Sequence, residues 1–124
     1  MSQDLVGRPS GRAYAPFLAR AQAAGAEVLP RQVRGALSVD LDSYEVSVAG
    51  TSREFSPRQV EILALFISAP HRVWSRDQLH EVCWGDASPS RRVDVQLCRI
   101  RTKLGLDVFR NIRDRGWALR EERL

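Results

Sequence analysis

RRVDVQLCRIRTKL, Arg91 to Leu104, decides the fold of this chain. At 3.6 residues per turn, Val93, Leu97, Ile100 and Leu104 fall on one side and predict a buried stripe. Arg91, Arg92, Val95, Gln96, Cys98, Arg99, Thr102 and Lys103 take the rest of the circumference, with Asp94 and Arg101 on the remaining flank. A helix of this kind is chemically equipped to lie in a DNA major groove. Arginine binds guanine O6/N7 bidentately, glutamine binds adenine N6/N7, and an apolar side chain touches the thymine methyl. A solvated basic face has the same composition, so the segments on either side must decide.

Downstream, Gly105 ends the helix. Val108 to Ile112 and Trp117 to Arg120 then read as strands around Arg113-Asp114-Arg115-Gly116, a tight turn in which Gly116 takes positive φ. Upstream, two helices carry explicit start signals. Ser56-Pro57-Arg58-Gln59 is a capping box with proline at the first helical position; Val60, Leu63, Ala64 and Ile67 form the apolar face, and Pro70 stops the helix. Ser75-Arg76-Asp77-Gln78 is a second capping box, followed by Leu79, Val82 and Cys83. Trp84 to Ser90 is a loop. Before these, Leu37, Val39 and Leu41 alternate with polar residues, Tyr44, Val46 and Val48 repeat the pattern, and Arg53 to Phe55 gives a third short strand. The order is three strands, three helices and a hairpin. This is an α+β chain: a winged helix-turn-helix with an N-terminal antiparallel sheet, three helices and a C-terminal β-hairpin wing.

Charge agrees with that order. Ala36 to Ser90 holds Arg53, Arg58, Arg72 and Arg76 against eight acids, whereas Arg91 to Arg120 holds eight arginines and Lys103 against Asp94, Asp107 and Asp114. Positive charge gathered at one end of a small domain is the electrostatic footprint of a face that binds a polyanion. Charge alone does not separate this from an unpartnered basic surface; position and residue type do.

Residues 1–35 differ from the rest, being rich in Ala, Gly and Arg and punctuated by Pro9, Pro16 and Pro30. They read as a basic N-terminal arm with one short helix over Ala15 to Glu27, and residues 36–124 as the winged-helix domain. The arm either adds attraction for phosphate or is a leader with no role.

Several function classes are excluded. No apolar run approaches the roughly 20 residues that a membrane helix needs, and Met1 to Gly7 lacks the pattern of a secretory signal, so a cytoplasmic location with no membrane contact is expected. Cys83 and Cys98 form neither a disulfide framework nor a CxxC unit. His80 and Cys83 make half a metal site at most, and structural zinc needs four ligands, so neither metal nor cofactor is expected. The chain has no Gly-rich phosphate loop, no nucleophile elbow and no acid–base constellation around His71 or His80, which argues against an enzyme. Trp74 and Trp117 are assigned to the core beneath a small sheet.

Taken together, these residues resemble the OmpR/PhoB-type DNA-binding domain, the effector domain of many two-component response regulators. The resemblance covers about Ala36 to Arg120. FSPRQVEILALF is similar to the family's Leu-Thr-x-x-Glu-Phe-x-Leu-Leu, and RVWSRDQLHEVCWG to its Val-x-Ser-Arg-x-x-Leu-x-x-x-Val-Trp-Gly. RRVDVQLCRIRTKL resembles the family's recognition helix, and NIRDRGWAL its wing. Each match is weak alone; four in order are specific.

The resemblance implies a DNA-binding transcriptional regulator whose helix enters the major groove and whose wing enters the minor groove. Arg99 and Gln96 then stand where base edges and adjacent phosphates are reached, with Val95 and Lys103 on the same surface. Arg76 and Trp84 correspond to backbone-contacting positions, Arg91 and Arg92 to phosphate clamps at the helix start. Arg113 matches the arginine of the wing, with Arg115 beside it. The loop containing Trp84, Gly85, Asp86, Ala87 and Ser88 corresponds to the segment that touches RNA polymerase, often its sigma subunit. Partners implied are double-stranded DNA, RNA polymerase and a second copy on tandem repeats.

The sequence also departs from the pattern. Gln96 replaces the usual histidine, Cys98 stands where a polar or basic residue is common, and Asp114 replaces a glycine of the wing. No receiver domain is expected before residue 36, so phosphorylation-driven dimerisation is not expected to be encoded here. The competing reading is a winged-helix interaction module that docks on RNA polymerase or another regulator with little direct DNA readout.

Overall fold

In chain order the computed structural model, which describes residues 11–86 and 91–124, runs α1 (Ala15–Ala23), β1 (Arg31–Arg34), β2 (Leu37–Asp40), β3 (Glu45–Val48), β4 (Thr51–Arg53), α2 (Pro57–Ser68), α3 (Arg76–Trp84), α4 (Arg92–Leu104), β5 (Phe109–Ile112) and β6 (Gly116–Leu119). Short 3₁₀ turns, Gly11–Tyr14 and Glu121–Arg123, lie at the two ends.

Both expected capping boxes form. The Ser56 hydroxyl accepts from the Gln59 backbone N–H, and the Gln59 side chain accepts from the Ser56 N–H. Ser75 and Gln78 repeat the arrangement at α3. Each box satisfies two backbone donors that the first helical turn leaves without partners. α4 begins at Arg91 without a side-chain cap and ends at Gly105, which takes the left-handed conformation (φ 70°) favoured at that position. Its buried residues are Val93, Leu97, Ile100 and Leu104, the stripe read from the spacing.

The antiparallel sheet has four strands in the order β1-β2-β3-β4, not three. The extra strand comes from RQVR, within the segment expected to be an arm. Its inward position is filled by Gln32, whose amide donates to the Ala64 carbonyl of α2 at 3.0 Å, while Val33 faces solvent. An inward amide and an outward valine hide the alternation that marks a half-buried strand. Tyr14, Phe17, Ala21, Ala26 and Val28, from the segment expected to be an arm, belong to the one apolar core. α1 packs on α3, and Arg20 Nε donates to the Val82 carbonyl at 2.7 Å. At the other end of the sheet β4 is Thr51–Arg53, and Phe55 enters the core from the connection beyond it. Tyr44 lies in a positive-φ turn before β3 rather than in the strand.

The wing is joined to the helices through main chain. Trp74 N donates to Trp117 O, and Trp117 N to Trp74 O, both at 2.8 Å. Trp74 is fully buried as expected, whereas Trp117 is only half-buried. The tilted rings of Phe66 and Phe109, 4.9 Å apart, join α2 to β5. Positive φ in the hairpin turn is carried by Asp114 (φ 62°) as well as by Gly116 (φ 143°). Glycine at 116 has a second reason: a Cβ there would overlap the Trp74 carbonyl oxygen.

Two consequences can be measured. Gly116→Ala combines a backbone overlap with a strained φ and is expected to cost about 2–4 kcal/mol of stability in urea unfolding, with loss of less than about 0.5 kcal/mol refuting the close approach. The second concerns Glu61, which is 8 % exposed and accepts from the Tyr44 hydroxyl at 3.1 Å. Burial pushes its carboxyl above the ordinary value, with the Tyr44 hydrogen bond and the Arg58 and Arg20 charges opposing. A folded-state pKa that is raised contributes stability below the unfolded pKa, and that stability is lost as pH rises through the folded value. Glu61→Gln should therefore gain on the parent between pH 4 and pH 7; a gap that stays constant or reverses would contradict the sign.

Candidate nucleic-acid interface

The outward surface of α4 is set by its buried stripe. With Val93, Leu97, Ile100 and Leu104 inside, Arg91, Arg92, Val95, Cys98, Arg99, Thr102 and Lys103 are all exposed, and Gln96 and Asp94 are half-buried on the flanks. Val95 is 42 % exposed, a large apolar side chain left facing solvent within an arginine-bearing surface. The two cysteines differ sharply. Cys83 is buried, which pushes its thiol far up, whereas Cys98 is exposed on α4 rather than filling the core.

Two helices meet through a salt bridge. Arg76 Nε and Nη2 donate to Asp94 Oδ1 and Oδ2 at 3.0 and 2.9 Å, a bidentate pair that raises the Arg76 pKa through that hydrogen bond and the adjacent charge. Asp94 is thus held by a residue of another helix, and that partner is one of the predicted site residues. Arg76 also lines a cleft of about 550 Å³ between the start of α3 and the wing, together with Arg113 and Arg115. Asp77 and Asp114 also line that cleft. The structure brings Arg76, Arg113 and Arg115 together there, and Arg91, Arg92, Val95, Arg99 and Lys103 onto one helix.

Trp84 sits differently. It is half-buried at the end of α3, with the His80 ring stacked at 4.9 Å and the Arg58 guanidinium 4.8 Å from its centroid. These two ring contacts tie it to α3 and α2. Gly85 and Asp86 follow it exposed, and Asp86 Oδ1 lies 3.2 Å from Nδ1 of buried His80. Ala87 and Ser88, the rest of the expected polymerase-contact segment, lie outside the described residues. Among the described residues no group of three or more His, Cys, Asp or Glu side chains could hold a metal ion, and no helix is long and apolar enough to cross a membrane.

Sequence reasoning missed Gln59. Besides capping α2, this residue, only 4 % exposed, donates from Nε2 to Gln96 Oε1 at 2.9 Å and accepts from Lys103 Nζ at 2.9 Å. The usable signal was its capping position: the cap occupies only the oxygen, and a buried –NH₂ needs a partner of its own. Arg53 was missed as well; its Nη1 donates to the Lys103 carbonyl at 2.9 Å, placing a cation at the carbonyl end of α4.

Residues 50–119 match the family described as "Transcriptional regulatory protein, C terminal". The chain is similar to the transcriptional regulatory protein CseB of Streptomyces coelicolor, 41 % identical over 88 residues, covering 69 % of this chain and 38 % of that protein. It is also similar to the response regulator protein PmrA of Pseudomonas aeruginosa, 30 % identical over 93 residues, covering 73 % of this chain and 42 % of that one. The chain thus spans well under half the length of the relatives it matches. Among solved structures, the DNA-binding domain of CpxR from E. coli superposes with a TM-score of 0.68 at 23 % identity, covering 73 % of this chain and 96 % of that one. The Klebsiella pneumoniae RstA DNA-binding domain, in complex with the RstA box, gives 0.68 at 21 % identity, covering 75 % and 99 %. These likenesses establish the winged-helix fold.

The Arg76–Asp94 pair is partly exposed, 51 % at the arginine and 28 % at the aspartate. Asp94→Ala is expected to change stability by no more than about 1 kcal/mol in urea unfolding; a larger loss would make the pair structural.

Proposed function

Because the chain belongs to the transcriptional regulatory protein C-terminal family, we propose that it binds double-stranded DNA sequence-specifically and regulates transcription. The observation that carries this reading is the surface of α4, where Arg99, Val95 and Gln96 lie opposite or beside a buried stripe, next to an arginine-bearing wing. In this reading α4 enters the major groove. Arg99 reads guanine O6/N7, and Val95 supplies apolar contact for a thymine methyl. Arg91, Arg92 and Lys103 neutralise phosphates along the edges of the groove. Arg113, with Arg115, reaches the adjacent minor groove, where negative potential attracts a guanidinium. Arg76 approaches the backbone only by sharing or leaving Asp94.

Trp84 contributes as packing that fixes the end of α3 rather than as an open contact face. The segment to which the exposed Gly85 and Asp86 belong is assigned to RNA polymerase, and a second copy to a tandem half-site; support for both is the family resemblance. A DNA-bound regulator of this kind works in the cytoplasm, and no catalytic role is assigned.

Mobility-shift titrations at two salt concentrations, on sites selected from a random duplex library, test the reading. Arg99→Ala should cost roughly 1–3 kcal/mol on the selected site and relax specificity there. Arg92→Ala should weaken binding to all sequences alike and lower the salt slope by about 1. Sequence-blind or undetectable binding by the parent would instead favour a module that docks on protein.

A further inference from the structure

Gln59 fixes the direction in which Gln96 can speak to a partner. An amide side chain has an acceptor end and a donor end, and its neighbours decide which is which. At Gln59 the decision is forced twice over. The Ser56 backbone N–H and the Lys103 ammonium can only donate, and both donate to the same atom, Oε1, at 3.0 and 2.9 Å. Nε2 of Gln59 is therefore the donor end, and it faces Gln96 at 2.9 Å. The Gln96 atom that meets it must be the acceptor, Oε1. Gln59 is buried to 4 % exposure and belongs to the α2 cap, so it has little freedom to turn over.

We propose that Gln59 is a positioning residue for specificity: it holds the Gln96 carbonyl toward α2 and leaves the Gln96 –NH₂ as the group offered to DNA. The proposal deepens the DNA-binding reading and rests on it for the partner's identity. Its content is a change in the alphabet of α4. A free glutamine matches adenine through N6 and N7 by using both ends of its amide. A glutamine presented by its –NH₂ reads acceptors: guanine O6 and N7, adenine N7, thymine O4, or a phosphate oxygen. The chain of command runs from a helix cap, through a buried amide, to the surface of another helix.

Gln59→Glu reverses the command without removing the cap. A glutamate at this position still accepts from Ser56 N and from Lys103, but it presents an acceptor to Gln96, whose amide must then turn its –NH₂ inward and its carbonyl outward. The first measurement needs no DNA. In the free parent protein, hydrogen exchange followed by NMR should find the Gln59 side-chain amide protected roughly ten-fold or more relative to that of Gln96, and Gln59→Glu should transfer protection to Gln96. A protected Gln96 amide in the parent overturns the proposal.

The second measurement is binding-site selection with the parent, Gln96→Ala and Gln59→Glu. If Gln96 meets a base, the base pair preferred at the position that Gln96→Ala makes indifferent should change by roughly ten-fold when Gln59→Glu turns the amide over. If it meets phosphate, Gln96→Ala should weaken all duplexes alike, and Gln59→Glu should cost less in the Gln96→Ala background than in the parent. A base preference that Gln96→Ala abolishes but Gln59→Glu leaves unchanged, or a Gln96→Ala variant that binds every duplex like the parent, overturns the proposal. A parent that binds no duplex counts against the DNA reading, and the exchange measurement still decides the orientation of Gln96.

Discussion

Every residue of α2 from Gln59 to Ile67 is buried, and the rest of the structure follows from that constraint. A helix that is hidden all round must be wrapped on every side, because no face of it can be left to water. The sheet covers one side through β1 and β2, α3 covers another, and the wing closes over Phe66. The two polar residues caught inside this sheath are satisfied by what surrounds them, Glu61 by Tyr44 and Gln59 by Gln96 and Lys103. Each buried polar group must find such a partner or destabilise the core. The wrapping of α2 therefore places α4 as well as supporting it.

Elements whose pattern is carried by apolar side chains could be read from the sequence. The stripe of α4 needs only its 3.6-residue spacing, and the two helix starts need only a serine and a glutamine three positions apart. β1 could not be read in this way, since Gln32 does the work that a hydrophobic residue would ordinarily signal. α1 was legible as a helix but not as part of the core, because Phe17 and Ala21 make a narrow apolar face whose partner, α3, is distant in sequence. At the candidate interface the exposed positions followed from geometry. Their entanglements did not: the Arg76–Asp94 fork, the His80–Trp84–Arg58 stack and the Gln59 relay join residues on different elements, and one-dimensional spacing does not show which helices face one another.

These entanglements give the basic surface its grain. Cationic side chains alone attract any polyanion, and such attraction carries no sequence information. Here Arg76 is engaged by a carboxylate, Lys103 is drawn toward Gln59 and the Phe55 ring, and the wing arginines share their cleft with Asp77 and Asp114. Acidic and amide partners limit the directions in which the cations can reach. A surface restrained in this way discriminates by geometry where an unrestrained one would bind by charge.

The reciprocal bonds between Trp74 and Trp117 also bear on the order in which the chain assembles. The β1–β4 meander, the helices and the β5–β6 hairpin are each local and can form early, whereas the tryptophan bridge closes a loop that contains all of α3 and α4. Contacts that span such a distance form only after the entropy of the enclosed segment has been surrendered. The bridge is thus a contact for which much of the chain must be ordered, and it couples the wing to the segment that leads into α3.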